Sequence, residues 1–592
     1  MGRLLLSGWM TLVAVELRAA DRTFAEPNTP EVAASQWAEY QANVPKTIIE
    51  LQALRRSASI DFSLPGDSGT ATLIDLNPQI NVWFLLTIRR RSTGQTLSYH
   101  LENPSPETQT LALSQADPYG VELTVAGHTV GCTLWPNGQA TILQEAQHGD
   151  LPYAPLCADR LFLRNSVAGS YTHLERVTSF LRDHVWGGER IVGFVKDQFF
   201  RDAFVENRVT APTSTTFPAS PSLTGGPRAP ELAAGYAAVA VIPTDLGIDV
   251  GVGSHALMMG RWYPARDAAG IWLSVIQPQA VGPPSFLGRK ATVNALDSVE
   301  AVALDYMVAM DLSKFEVGFA LGTDHPRVGW SERVLPTVRD SRLAGPDGIG
   351  TVAPLVVNGI VSPILVDQVA ATFAGGFKRE HGAFRYGPLA QRNNGSHYGF
   401  IEQGVVFSKL QPELATLFVT DDGKVQMKTW TAADDALLPH IKFARQNGVP
   451  LVEFDEQTGM SSAGPLVNNW GAGNWSGSDD EHLRTLRAGL CLQVSAETRY
   501  LVFGYFSTAT PSAMARVFQA YGCRYAMHLD MNALEHTYFA IYTLQDGRIS
   551  VQHLIQGMAE VDRKGGAELA PRFLSFPDDR DFFYLTRRKG AP

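Results

Sequence analysis

Cysteine is scarce in this chain: four in 592 residues, at Cys132, Cys157, Cys491 and Cys523, with no CxxC pair. That spacing excludes the common structural zinc sites. Glu380-His381 and Glu535-His536 are not at the spacing of a helical zinc motif either, so no metal and no cofactor is expected. Long Lys/Arg runs are also missing. A formal charge of −10 and a pI of about 5.8 exclude a general nucleic-acid binder. With 18% charged and 45% hydrophobic residues, the composition excludes a disordered chain. There is no internal repeat. The only candidate for a membrane-length apolar stretch is at the start, where Arg3 precedes Leu4 to Val15 and Ala19-Ala20 follow. This patterning resembles a signal peptide over residues 1–20. It predicts a periplasmic or secreted protein with no integral membrane span in the mature chain. In such a compartment the cysteines can form two bridges, most simply Cys132–Cys157 and Cys491–Cys523; four buried thiols are the alternative.

What is abundant is glycine (53), proline (35) and short apolar runs, which together point to strands and turns. The length calls for more than one domain. Residues 21–208 read as a β-rich N-terminal domain. Within it, Val82 to Ile88 is a buried strand and Val121 to Val125 alternates; Pro30–Arg56 and Thr172–Phe204 read as helical. Residues 209–231, rich in Pro, Ser, Thr and Gly, form a linker. Residues 232–592 form a mixed second region, making the whole chain α+β. Its clearest element is a helix capped by Thr510, with Pro511 at its first position, a stripe of Met514, Val517, Phe518 and Tyr521, and Gly522 as terminator. The chain then runs extended, with Tyr525, Met527 and Leu529 on one face and Arg524, Ala526, His528 and Asp530 on the other.

Gly66-Asp67-Ser68-Gly69 looks like a serine-protease nucleophile loop. No His precedes His100, so the chain order is wrong, and the segment reads as a turn. More informative are polar clusters beside apolar strands. Val366 to Phe373 leads into Ala374-Gly375-Gly376-Phe377, where paired glycines permit close backbone approach to a ligand. A hairpin with Asp422-Gly423 follows, then Arg445-Gln446-Asn447, Arg487-Ala488-Gly489-Leu490, the helix, and Leu529-Asp530-Met531-Asn532.

That order resembles the phosphodiester glycosidase domain family, in its bacterial subgroup with a Leu-Asp-Ile-Asn motif. The resemblance covers roughly Val352 to Tyr542, the motif core 352–542, about a third of the chain. Ala374 stands where the family has Asn, and Met531-Asn532 replace its glycine-rich loop. The resemblance implies a hydrolase acting on a sugar-1-phosphodiester at the anomeric carbon. It assigns catalysis to Asp530 and Arg487, and substrate binding to Gly375, Gly376, Arg445, Gln446, Asn447 and Asn532. The implied partner is a glycan or sugar phosphate. A guanidinium would hold phosphate bidentately, and the carboxylate would serve the oxocarbenium-like centre. Glu453 and Asp455 are the candidates for a second acid. A non-catalytic carbohydrate- or envelope-binding protein on the same fold is the alternative.

Overall fold

The computed structural model describes residues 38, 49–52 and 54–588, less 65–66, 172–225, 252–255, 283–292, 327–329, 331–333, 340–350, 379–383, 385–397, 469–482, 546 and 566–567. The signal-peptide reading, the Thr172–Phe204 helix, most of the 209–231 linker and most of the Pro30–Arg56 helix lie outside the described residues; where the end of that helix is described, Ile49–Leu51 is a short 3-10 turn and Arg56 opens the Arg56–Leu64 strand. Among the described residues no helix is long and apolar enough to cross a membrane.

The expected α+β class is wrong: the chain is mostly β. Strands pair antiparallel in large sheets, and two α-helices are described in full, Thr141–His148 and Pro511–Ala520. Much of what connects the strands is short 3-10 helix, such as Pro363–Gln368 and Ala432–His440. Proline explains part of this: Pro363 opens one turn, and Pro439 inside the other breaks α-helical bonding. The strand read as Val366 to Phe373 accordingly begins only at Val369 and ends at Ala374.

Residues 56–164 make a sandwich. A six-stranded sheet faces a three-stranded one, Gln109–Leu113, Gly120–Val125 and His128–Thr133. Of the Gly66 to Gly69 segment read as a turn, Gly66 lies outside the described residues, and Asp67, Ser68 and Gly69 belong to the Asp67–Asp75 strand of a hairpin. The Trp83–Arg90 strand explains why its sequence is apolar on both faces. Phe84, Leu86 and Ile88 fill the sandwich, whereas Trp83 and Leu85 belong to the core of the second region. Arg164 crosses the same boundary. It lies 3.9 Å from the Trp83 ring centroid, donates to Asn358 at 2.9 Å, and sits between the carboxylates of Glu102 and Glu402.

The second region has an eight-stranded sheet and two five-stranded sheets. In the first, Thr485–Ser495 lies between Thr498–Ala509 and Cys523–Met531. The Pro511–Ala520 helix packs on it. Thr510 Oγ1 accepts from Ala513 N at 3.2 Å, and Met514, Val517, Phe518 and Tyr521 are fully buried. Gly489 and Gly504 leave room for the Phe518 ring, where a Cβ would come within 3.0 Å. Both bridges form, Cys132–Cys157 and Cys491–Cys523. Cys523 reaches Cys491 because pairing shifts register between Leu492 and Gln493.

Candidate functional site

The site begins with an irregularity. Arg487 pairs with Met531 and Gly489 with His528, so Leu529 and Asp530 together oppose Ala488 alone. Such a bulge bends its strand and re-aims its side chains. The carbonyls of His528 and Leu529, at the bulge, both accept from Asn447 Nδ2, at 2.7 and 2.6 Å. Asn447 follows directly on the Ile441–Gln446 strand, so its amide joins two sheets.

The same amide holds the glycine loop. Asn447 Oδ1 accepts from Phe377 N at 3.1 Å, while Arg445 Nη2 donates to Phe377 O at 2.7 Å. Gly376 has φ +142°, and a Cβ there would lie 2.7 Å from Asn447 Oδ1. Only glycine tolerates both conditions. Gly375 N donates to Asp581 O at 2.7 Å. The loop is therefore fixed through its own amides to the protein frame. Gln446 is used in the same way: its amide binds Gly399 N, Gln411 N, Gln411 O and Thr416 Oγ1.

Asp530 is 4% exposed. Its Oδ2 receives Arg580 Nη1 at 2.6 Å and its Oδ1 accepts from Met531 N at 2.8 Å. Arg580 Nη2 lies 2.6 Å from His536 Nε2, and His536 Nδ1 lies 2.8 Å from Met531 O. Arg487 is fully buried. It donates to Ala509 O at 2.7 Å and Leu483 O at 2.9 Å, and its Nη1 is directed at Met531 Sδ and His528 Nε2. Burial draws its pKa down to about 9, against the opposing pull of Glu300. Burial, aided by Arg487, likewise holds the His528 imidazole well below its ordinary range. Arg487 thus flanks Asp530 through residues 528 and 531. Asn532 has φ +82°, and its Oδ1 accepts from Thr485 Oγ1 at 3.0 Å.

Sequence reasoning missed the segment Asp578-Asp579-Arg580-Asp581, which leads into the Phe582–Arg587 strand. All four residues are at most 3% exposed. Asp578 takes Arg572 bidentately at 2.7 and 2.9 Å, and Asp579 meets Lys378 Nζ at 2.5 Å. Arg580 meets Asp530. Asp581 Oδ2 lies 2.7 Å from His325 Nδ1 and 3.2 Å from Arg445 Nε, and its Oδ1 accepts from Gly322 N at 2.9 Å. Burial alone would raise the Asp581 pKa; His325, Arg445 and the Gly322 N–H outweigh it, and the carboxylate sits below its usual range. The available signal was four consecutive charges wedged between Phe573-Leu574-Ser575-Phe576 and Phe582-Phe583-Tyr584-Leu585.

The structure brings Gly375, Gly376, Arg445, Asn447, Arg487 and Asp530 into one connected polar junction. Gln446 faces away into its own sheet, and Asn532 closes the turn beyond Asp530. Glu453 accepts from Thr429 Oγ1, and exposed Asp455 accepts from Gln457 N and Thr458 Oγ1 in a hairpin turn. Among the described residues no three His, Cys, Asp or Glu side chains are grouped to hold a metal ion. Chemically, the junction offers a carboxyl group paired with a guanidinium, with an imidazole on that guanidinium's other terminal nitrogen.

No family model matches the chain, and no curated protein matches it. Among solved structures it is similar to the zebrafish N-acetylglucosamine-1-phosphodiester alpha-N-acetylglucosaminidase catalytic domain, auto-inhibited by its pro-peptide. That likeness has 9% identity and a TM-score of 0.28, over 55% of this chain and 85% of that one. A hypothetical protein from Synechocystis aligns over 90% of this chain and 97% of its own, at 10% identity and a TM-score of 0.22. At these scores neither likeness bears on the site.

Proposed function

We propose that the chain is an exported hydrolase that cleaves a sugar-1-phosphodiester, in a glycan or glycolipid, at the anomeric carbon. The observation that carries this reading is Asp530, a carboxylate turned out of regular pairing by a bulge and paired with Arg580 at 2.6 Å. The two disulfides suit an exported protein. Asp530 attacks or stabilises the oxocarbenium-like centre, or takes a proton from water. The C1–O bond breaks and its electron pair leaves with the phosphate oxygen. Water supplies the new oxygen at C1. In ordinary glycoside cleavage a second carboxyl protonates the departing oxygen. A phosphate monoester, with a second pKa of about 6, departs without that help. One carboxylate is then sufficient, and neither Glu453 nor Asp455 is required. Arg487, Arg445, Asn447, Gly375 and Gly376 keep the surrounding backbone in register, with Asn532 and Gln446 bracing the adjoining turn and sheet.

A release assay over a panel of sugar-1-phosphodiesters tests this. Asp530→Asn preserves the side-chain shape, and it is expected to lower turnover by at least about a thousandfold. Equal rates for wild type and variant overturn the assignment. The second reading, a non-catalytic carbohydrate or envelope binder, is favoured by how fully the Asn447, Gln446 and Arg445 side chains are bonded within the protein. Saturable binding that survives Asp530→Asn, with no turnover by either form, selects it.

A further inference from the structure

We infer that His536 is a positioning residue for Asp530, acting through Arg580, and that it must be neutral to do so. The inference rests on Asp530 as the acting group. Two neighbours dictate the tautomer. The Met531 carbonyl oxygen, 2.8 Å from Nδ1, can only accept, so Nδ1 carries the hydrogen. Arg580 Nη2, 2.6 Å from Nε2, can only donate, so Nε2 presents its lone pair. A second proton on Nε2 would point straight at a guanidinium N–H.

The local chain enforces this placement. Asn532, at φ +82°, turns the backbone out of the Cys523–Met531 strand. His536 N and Thr537 N both donate to Ala533 O at 3.1 Å, closing a tight loop that folds His536 back over Met531. Charged groups approach from each element around the ring. Glu535, on the same loop, has Oε1 3.9 Å from Nε2 and favours the imidazolium. Arg580, from the segment before Phe582–Arg587, disfavours it at shorter range. Asp530, at the strand end, is bonded to Arg580, and Arg572 is bonded to the Glu535 carbonyl. The hydrogen-bonded contact at 2.6 Å outranks the 3.9 Å ion contact, which a 1/r interaction alone already weakens.

Neutral His536 therefore divides the Arg580 fork, one terminal nitrogen to each partner, and fixes its plane against Asp530. Protonation removes one tine. Arg580 loses that contact, and the carboxylate loses the orientation it imposed.

The test combines a pH profile with spectroscopy. His536→Gln places a non-titrating acceptor near the Nε2 position. The ratio of kcat at pH 5 to kcat at pH 8 is expected to rise about tenfold over wild type, while His536→Ala lowers kcat more than it alters KM. Nitrogen-15 spectra of imidazole-labelled protein, with His536 assigned by its absence in the Gln variant, should show the Nδ1–H tautomer at pH 8. An Nε2–H tautomer, or acid limbs that coincide in wild type and His536→Gln, overturns the inference. If wild type turns over no phosphodiester, the reading of Asp530 fails, and the tautomer spectrum still decides the placement of His536.

Discussion

Arg580 Nη1 lies 2.6 Å from Asp530 Oδ2 although the two residues are 50 positions apart, and both side chains are buried. Removing one partner of a buried pair leaves the other charged and unsolvated. Arg580→Ala is expected to destabilise the fold by about 3–5 kcal/mol. The double variant with Asp530→Asn should recover part of that loss, because the orphaned charge is gone. Urea unfolding of the single and double variants measures both; additive losses would deny the coupling.

Gly376→Ala should cost about 1–3 kcal/mol, since the residue would be held at φ +142° with its Cβ pressed on Asn447. Gly375→Ala should cost less, because its nearest contacts at Asp581 are 3.1 Å away. A pair of thermal melts gives the order, and a larger loss at Gly375 would contradict it.

Burial raises the Glu402 pKa from 4.5 to about 7, over the opposing effects of Arg164 and the Leu321 N–H. The folded state then holds this proton more tightly than the unfolded one. Stability from Glu402 is complete below about pH 4.5 and is lost as pH rises through about 7, by about 3 kcal/mol. Asp75, raised to about 7 mainly by burial, slopes the same way. Asp581 slopes oppositely: its depressed pKa stabilises above the unfolded carboxylate range, and that is lost as pH falls through its folded value. Unfolding free energy should therefore peak in mild acid. Glu402→Gln should flatten the decline between pH 5 and 8, and an unchanged decline would remove Glu402 as its source.

The bridges should differ in access. Cys491 and Cys523 are fully buried, whereas Cys132 and Cys157 are partly exposed. Mild thiol reductant followed by alkylation and mass analysis should label Cys132 and Cys157 first. Loop closures of 25 and 32 residues imply about 3.5 kcal/mol of stabilisation from each bridge.

Local chemistry was legible in the sequence. Thr510, Pro511 and Gly522 mark the helix, and Asp422-Gly423 marks the Ala415–Thr420 hairpin turn, with Gly423 at φ +79°. The gathering of Gly375-Gly376 with Arg445 and Asn447 was legible only as an ordered series of motifs. Long-range compensation was not legible. Four charges in a row from Asp578 normally mean solvent, and what buries them here is His325, Lys378, Arg445, Asp530 and Arg572, none of them within five residues. The Asp530 bulge is equally invisible, because a period-two reading continues smoothly through it. The α+β reading failed for a related reason: one well-signalled helix outweighed many strands whose partners are distant in sequence.

The Trp83–Arg90 strand has a practical corollary for anyone cutting this gene into pieces. A fragment starting beyond residue 165 would not shed an appendage; it would strip a wall, baring Phe407 where the Trp83 ring had covered it and leaving Glu402 without the Arg164 cation. Soluble production of the C-terminal part alone would first require redesigning that surface.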